Sequence, residues 1–238
     1  MPALPSPTPR AFPQARAQRT YEALLLAARE VFSQRGYDGA QTPEIAAQAG
    51  VSVGTFYRYF TDKRQAFLEV VGGHLAEAHV DVMSRLQPSH FAGRDPRGIV
   101  DGVIDVLFEQ VARFPTLQEV FVAMSLRDPE VAALRGAFEA QATGELAEVI
   151  RALVPRERIA DPRAAAYVIQ RAAVDTAMAR AIDRSATAAE DQAVRRALSE
   201  MIGRYLFADG EKGNEEEKPL TRWGATARGR GGPAGRRR

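Results

Sequence analysis

Residues 42–63 read TPEIAAQAGVSVGTFYRYFTDK. Two short helical patterns flank Gly50-Val51-Ser52. In the first, Thr42 can cap the helix and Pro43 sits at its first position, where a missing N–H costs nothing. Ile45, Ala46 and Ala49 share a face, and their small size suits two helices that cross steeply at close range. Gly50 supplies the sharp turn, Val51 plugs the corner and Ser52 caps the second helix. That helix carries Gly54, Thr55, Phe56, Tyr57, Arg58, Tyr59 and Phe60. Phe56, Tyr59 and Phe60 recur at three- and four-residue spacing, as on one helix face. Asp62 can cap a following helix, with Gln65 as a capping-box partner.

The pattern predicts a helix-turn-helix whose second helix enters a DNA major groove. A reading helix needs small residues at its start, donors for phosphates and a side chain that reaches base edges. Gly54 and Thr55 meet the first need. Thr55, Tyr57 and Lys63 can donate to phosphates, and the free N–H groups of the helix beginning at Lys63 favour an anion. Arg58 matches guanine O6 and N7 and is the candidate for direct readout. Phe56 and Phe60 read as core. The Tyr57 hydroxyl gives an exposed position a reason to be aromatic.

Working outward, Tyr21, Leu24, Leu25, Ala28, Val31 and Phe32 form one apolar stripe over residues 18–35, and Gly36 stops that helix as a left-handed C-cap. The segment from Arg19 to Leu68 closely resembles the DNA-binding domain of TetR-family transcriptional regulators. The motifs that carry the resemblance are AAREVFSQRGYDGAQT, EIAAQAGVS and above all GTFYRYFTDKRQAF. The resemblance implies three N-terminal helices, a long fourth helix and a divergent all-helical domain that binds a small effector and dimerises. It places Thr42, Thr55, Tyr57, Tyr59 and Lys63 near phosphates, and Val53, Gly54 and Arg58 near bases. Pro43 and Val53 depart from the polar residues of many relatives, so specificity is expected to lean on Arg58 and on DNA shape. Arg64 replaces an acidic residue common after the lysine and raises the local positive charge.

Beyond the reader, residues 63–86 read as one helix with Phe67, Val70, Val71, His74, Leu75, Ala78 and Val82 on one face. Gly72-Gly73 in its middle marks either close packing against a neighbour or a flexible point. Further helices are expected over 97–114, 116–125, 128–153, 161–183 and 190–207, with Asp128-Pro129 and Asp161-Pro162 as start signals. No strand alternation appears, so the expected architecture is all-α with about nine helices. The expected organisation is an arm (1–16), a DNA-binding domain (17–62), an effector-binding and dimerisation domain (63–208) and a tail (209–238).

The alanine-rich helix at 162–183 and the helix at 190–207 are the expected homodimer surface, as a four-helix bundle. Most of that expectation comes from the family resemblance. Twofold symmetry would let two readers meet half-sites of double-stranded operator DNA. An effector pocket is expected among the middle helices, with Phe108, Phe114, Phe121, Met124, Phe138, Tyr167, Arg171 and Asp175 as candidates. The competing reading makes each of these ordinary core, with Arg171 and Asp175 a simple i,i+4 pair. Such a lining suits a mostly apolar ligand.

Composition narrows the remaining classes. The chain has 238 residues, 45% hydrophobic and 26% charged, with formal net charge +2, so a nucleic-acid footprint must be local. It has no cysteine and three histidines, His74, His79 and His90, which rules out thiolate sites and leaves no metal-ligand spacing. No paired carboxylates, Ser/His/Asp set or phosphate loop point to an enzyme, and no cofactor is expected. No run of about 18 apolar residues suggests a membrane span. The proline-rich start lacks an apolar signal region, so a cytoplasmic protein is expected. That start (Pro2, Pro5, Pro7, Pro9, Pro13) reads as a disordered or extended arm, either a solvated leader or a basic arm touching DNA. The polar, glycine-rich end turns from Glu215-Glu216-Glu217 to an arginine-rich run, either a solvated tail or a source of salt-sensitive DNA affinity.

Overall fold

In the computed structural model, residues 14–87, 95–183 and 185–207 are described. The expectations for the proline-rich arm up to residue 13, for a loop over 88–94 and for the arginine-rich tail lie outside them; the last residues of the expected arm, Ala15 and Arg16, are helical instead of extended. Helices α1 (Ala15–Gly39), α2 (Thr42–Gln48) and α3 (Val53–Tyr59) precede the long α4 (Lys63–Arg85). Then come α5 (Pro96–Ala112), α6 (Pro115–Ser125), α7 (Pro129–Leu153), α8 (Pro162–Ile182) and α9 (Ala188–Leu206). The architecture is all-α, with no strand among the described residues.

The breaks follow local chemistry. Gly36 and Gly50 have φ of +68° and +69°, a conformation that side-chain-bearing residues rarely adopt; Gly36 does not end the first helix as expected but kinks it, and α1 continues to Gly39. Aspartate side chains cap four helices: Asp62 on α4, Asp95 on α5, Asp128 on α7 and Asp161 on α8. Three of them, at α5, α7 and α8, are followed directly by proline, which needs no acceptor there. α9 begins two residues before the expected Glu190. Thr187 and Glu190 form a capping box, a Thr-x-x-Glu spacing present in the sequence. Two expected caps differ. Gln41, not Thr42, precedes α2 and makes no side-chain cap bond. Gln65 Oε1 accepts from the N–H of Thr61 at 2.6 Å, one residue before the cap Asp62.

The core has two clusters. The first gathers Tyr21, Leu24, Val31, Phe32, Ile45, Phe56, Phe60 and Phe67 from α1–α4 with Leu117, Phe121 and Met124 of α6 and Val131 of α7. The second gathers Ile104 and Phe108 of α5, Ile150 of α7, Ala166 and Ile169 of α8, and Leu198 and Ile202 of α9. The expected boundary at 62/63 therefore cuts through a shared apolar core. α1 packs on both α4 and α6.

Polar links reinforce that junction. The Tyr21 hydroxyl donates to Glu69 Oε2 at 2.6 Å, tying α1 to α4 inside the core. Arg64 grips Asp128 with two nitrogens, one of them at 2.7 Å, and meets Glu130 at 3.0 Å. Arg64 thus adds no free positive charge beside the reader, contrary to the expectation from sequence. Its guanidinium and two backbone N–H donors hold the Asp128 carboxyl down at about 2. α4 runs unbroken through Gly72-Gly73. A Cβ built on Gly73 would meet nothing within 4 Å, so close packing does not require glycine there.

Candidate nucleic-acid interface

α2, the Gly50 turn and α3 form a compact hairpin of helices on one end of the first core cluster. Phe56 and Phe60 are fully buried, and this anchors one face of α3. The opposite face is open: Val53 is 37% and Tyr57 53% exposed, and Gly54 and Arg58 are exposed too. Ser52 Oγ accepts from the Thr55 N–H at 3.2 Å and caps the exposed N-terminus of α3. The Thr55 hydroxyl lies 3.0 Å from the same oxygen and is part of the cap. A Cβ on Gly54 would meet only Ser52 Oγ, at an ordinary 3.8 Å, so nothing inside the chain demands glycine at that point.

The hydroxyls of Thr42 and Tyr57 lie 3.3 Å apart, which joins the start of α2 to the outer face of α3. The Tyr57 ring stands edge-on to Phe56 with centroids 5.4 Å apart. Arg58 makes no ion pair or hydrogen bond with another described residue, and its guanidinium is free for an outside partner. Tyr59 is turned the other way, half-buried with its ring 6.3 Å from Tyr21.

Lys63 is placed differently from the other candidates. Its ammonium donates to the carbonyls of Tyr37 at 2.7 Å and Ala40 at 2.9 Å and sits over the Tyr37 ring. An ammonium has three donors. Two of them already close the link between α1 and α2, so one is left for any phosphate. Burial, with Asp62 and Asp128 nearby, pushes the Tyr37 hydroxyl up. The sequence could not show this use of Lys63, because the acceptors lie 23 and 26 residues away.

A cavity of about 220 Å³ lies among α4–α9, walled by residues such as Val82, Leu107, Phe121, Phe138, Ile169 and Met178. Of the eight sequence candidates for a pocket, only Phe121 and Phe138 line it. Phe108 is buried in the second core with Arg195 stacked 4.7 Å over its ring. Phe114 is wedged between Arg29 and His74. Met124 belongs to the first core, and Tyr167 is 58% exposed on α8. Arg171 and Asp175 pair at 2.8 Å off the cavity wall. Helical spacing does not separate core from cavity, and at Tyr167 it does not separate either from the surface.

Sequence reasoning missed Gln118, a cavity-lining amide buried in the first turn of α6. Its Nε2 lies 2.9 Å from His74 Nε2. Burial first, then the charges of Arg29 and Arg113, lower the His74 imidazole to about 4. The ring is neutral near pH 7, and the amide donates to it. A glutamine inside an otherwise apolar helix stripe was the available signal. Among the described residues no group of His, Asp or Glu could hold a metal, and no helix is long and apolar enough to cross a membrane.

The family model described as bacterial regulatory proteins, tetR family, matches residues 24–70, and the tetracyclin repressor-like C-terminal domain matches residues 95–206. The chain belongs to the TetR family. The HTH-type transcriptional repressor BepR of Brucella suis is 34% identical over 114 residues, 48% of this chain and 53% of that protein. The HTH-type transcriptional regulator UidR of Escherichia coli K12 is 26% identical over 121 residues, 51% of this chain and 59% of that protein. The matches thus span little more than half the length of these TetR-family relatives. A crystal structure of a Mesorhizobium loti protein superimposes with TM-score 0.68 at 21% identity, over 81% of this chain and 98% of that one. At that identity the likeness speaks for the TetR fold alone.

Proposed function

We propose that this chain is a dimeric regulator of transcription that binds operator DNA through α3 and is released by a small, mostly apolar effector. The observation that carries the DNA reading is the outer face of α3. Val53 and Gly54 lie exposed at its capped end and Tyr57 and Arg58 in its last turn, and Gly54 has no internal reason to be glycine. A helix that presents small residues, a hydroxyl and an unpaired guanidinium suits a major groove. Thr42, Thr55 and Tyr57 would bond phosphates, with the third donor of Lys63 beside them, while Tyr59 packs toward Tyr21 and holds α3 on the core instead. Arg58 would read guanine, while Val53 offers only apolar contact to a thymine methyl.

The dimer is assigned to α8 and α9, where Tyr167, Val168, Met201 and Tyr205 are exposed apolar side chains on one protomer. Two chains packing these faces would place two readers on one palindrome. The effector would occupy the cavity and favour a conformation whose readers no longer match successive half-sites, which requires tighter binding to that conformation. Ligand-responsive regulation is favoured over ligand-independent regulation because the cavity adjoins α4 and α6, both packed on α1 of the reader.

The test is selection of duplexes from a random library by the full chain, followed by anisotropy titration at several salt concentrations. A palindromic consensus bound by a dimer supports the reading. Binding without sequence preference, or none at all, refutes it.

A further inference from the structure

The chemistry of the cavity wall says more about its ligand than its apolar character does. Its ionisable members are His79, Arg135 and Glu139. Arg135 donates to Glu139 at 2.8 Å, and Glu139 also accepts from Arg171 at 2.9 Å, which pairs in turn with Asp175 at 2.8 Å. These two guanidinium groups and two carboxylates cancel. His79 Nε2 meets the Glu145 carboxylate at 2.9 Å. No charged wall group awaits a counter-charge from a ligand. A charged ligand would lose its water without gaining a partner, which is costly in an apolar enclosure.

The wall also holds three amides, Gln110, Gln118 and Gln170. Gln110 donates to Asp81 at 2.5 Å and Gln170 accepts from Thr143, and both are half-buried. Gln118 is only 8% exposed. Its amide nitrogen is committed to His74, and this orients the group. Its carbonyl Oε1 accepts no hydrogen bond from any described residue. An oriented, unpartnered acceptor on a largely buried residue of a cavity wall is open to a donor from a ligand.

We propose that the cavity takes an uncharged, apolar molecule of about ten heavy atoms with one hydrogen-bond donor, a hydroxyl or N–H, that Gln118 Oε1 accepts. The size follows from about 220 Å³ set against a cavity of about 150 Å³ that holds benzene. The inference rests on the reading of this cavity as the effector site. Gln118 is then a specificity residue that also touches α4 through His74.

Calorimetric titration of the full chain with four probes of one skeleton tests it: 4-ethyltoluene, 4-ethylbenzyl alcohol, 4-ethylbenzoate and 4-ethylbenzylammonium. Release of the selected duplex is read in parallel. The alcohol is expected to bind roughly fivefold to tenfold more tightly than the hydrocarbon, the worth of one hydrogen bond. Both ions are expected to bind at least about tenfold more weakly than the alcohol. Gln118→Leu should erase the preference for alcohol over hydrocarbon while retaining hydrocarbon binding. Gln118→Met, flexible and of the same length, repeats the test if the leucine variant packs poorly. The inference is overturned if either ion matches the alcohol, or if the alcohol preference survives in a folded Gln118 variant. Absence of binding by all four overturns the effector-site reading itself, and the inference with it.

Discussion

Acidification tests the burial of His74. The ring is 5% exposed, bonded to Gln118 at 2.9 Å, edge-on to Phe114 and beside the charges of Arg29 and Arg113. Its pKa falls from 6.5 in the unfolded chain to about 4 in the folded one. Between these values the unfolded chain binds more protons, so stability falls as pH falls. The contribution is fully present above the unfolded value and is lost progressively down to the folded one. Linkage with these two values gives a loss on the order of 2 kcal/mol between about pH 7.5 and about pH 5. The control is His74→Gln, which cannot titrate and can still bond Gln118. Urea unfolding of both proteins across this range, at fixed protein concentration, isolates the histidine because the carboxylates are common to both. The wild type should lose on the order of 2 kcal/mol more than the variant over that interval. Parallel profiles would refute the neutral, buried imidazole and, with it, the orientation assigned to the Gln118 amide.

Other perturbations address the reader and the dimer. Arg58→Ala should cost about 1–3 kcal/mol of discrimination between selected and scrambled duplexes in anisotropy titrations, with little loss of non-specific affinity. Lys63→Ala, which removes two charge-assisted hydrogen bonds at the α1–α2 link, should lower unfolding stability by about 1–3 kcal/mol even without DNA. A purely phosphate-contacting lysine would leave unfolding in urea unchanged. Ser52→Ala should cost about 1 kcal/mol and Ser52→Gly only a few tenths, as for the loss of an N-cap, measured in the same way. Val168→Asp with Tyr205→Asp should convert a dimer to a monomer in sedimentation equilibrium and weaken palindrome binding, while helicity by circular dichroism is retained.

Much of the local architecture was legible from residue types. Gly36 kinks α1 and Gly50 follows the end of α2, both at a positive φ that glycine adopts at no steric cost. Ser52, Asp62, Asp128 and Asp161 cap where an oxygen-bearing side chain precedes a helical stripe. The reader's outer face was legible too, because Phe56 and Phe60 on the inner face leave Val53, Gly54, Tyr57 and Arg58 outside. The cavity was far less so. Phe108, Met124 and Phe121 carry the same periodic signal, yet only Phe121 borders open space. Gln118 interrupts an apolar stripe of α6, and that alone did not say whether it meets solvent, a neighbour or a cavity.

The sequence alone determined what each short segment must do, because caps, turns and helix faces are decided within one or two helical turns. It fixed the all-α class, the helix-turn-helix and the resemblance now matched by the family models. Only the tertiary structure decided how the segments engage one another. Arg64 could be read as free positive charge until Asp128, 64 residues on, was found against it. Lys63 could be read as serving phosphates alone, whereas two of its three donors meet the carbonyls of Tyr37 and Ala40. His74 could be read as one more inward residue until Gln118 met it across 44 positions. Periodicity states that a side chain turns inward, whereas charge, protonation and ligand chemistry depend on the neighbour it meets there, and that neighbour is chosen by the packing of whole helices.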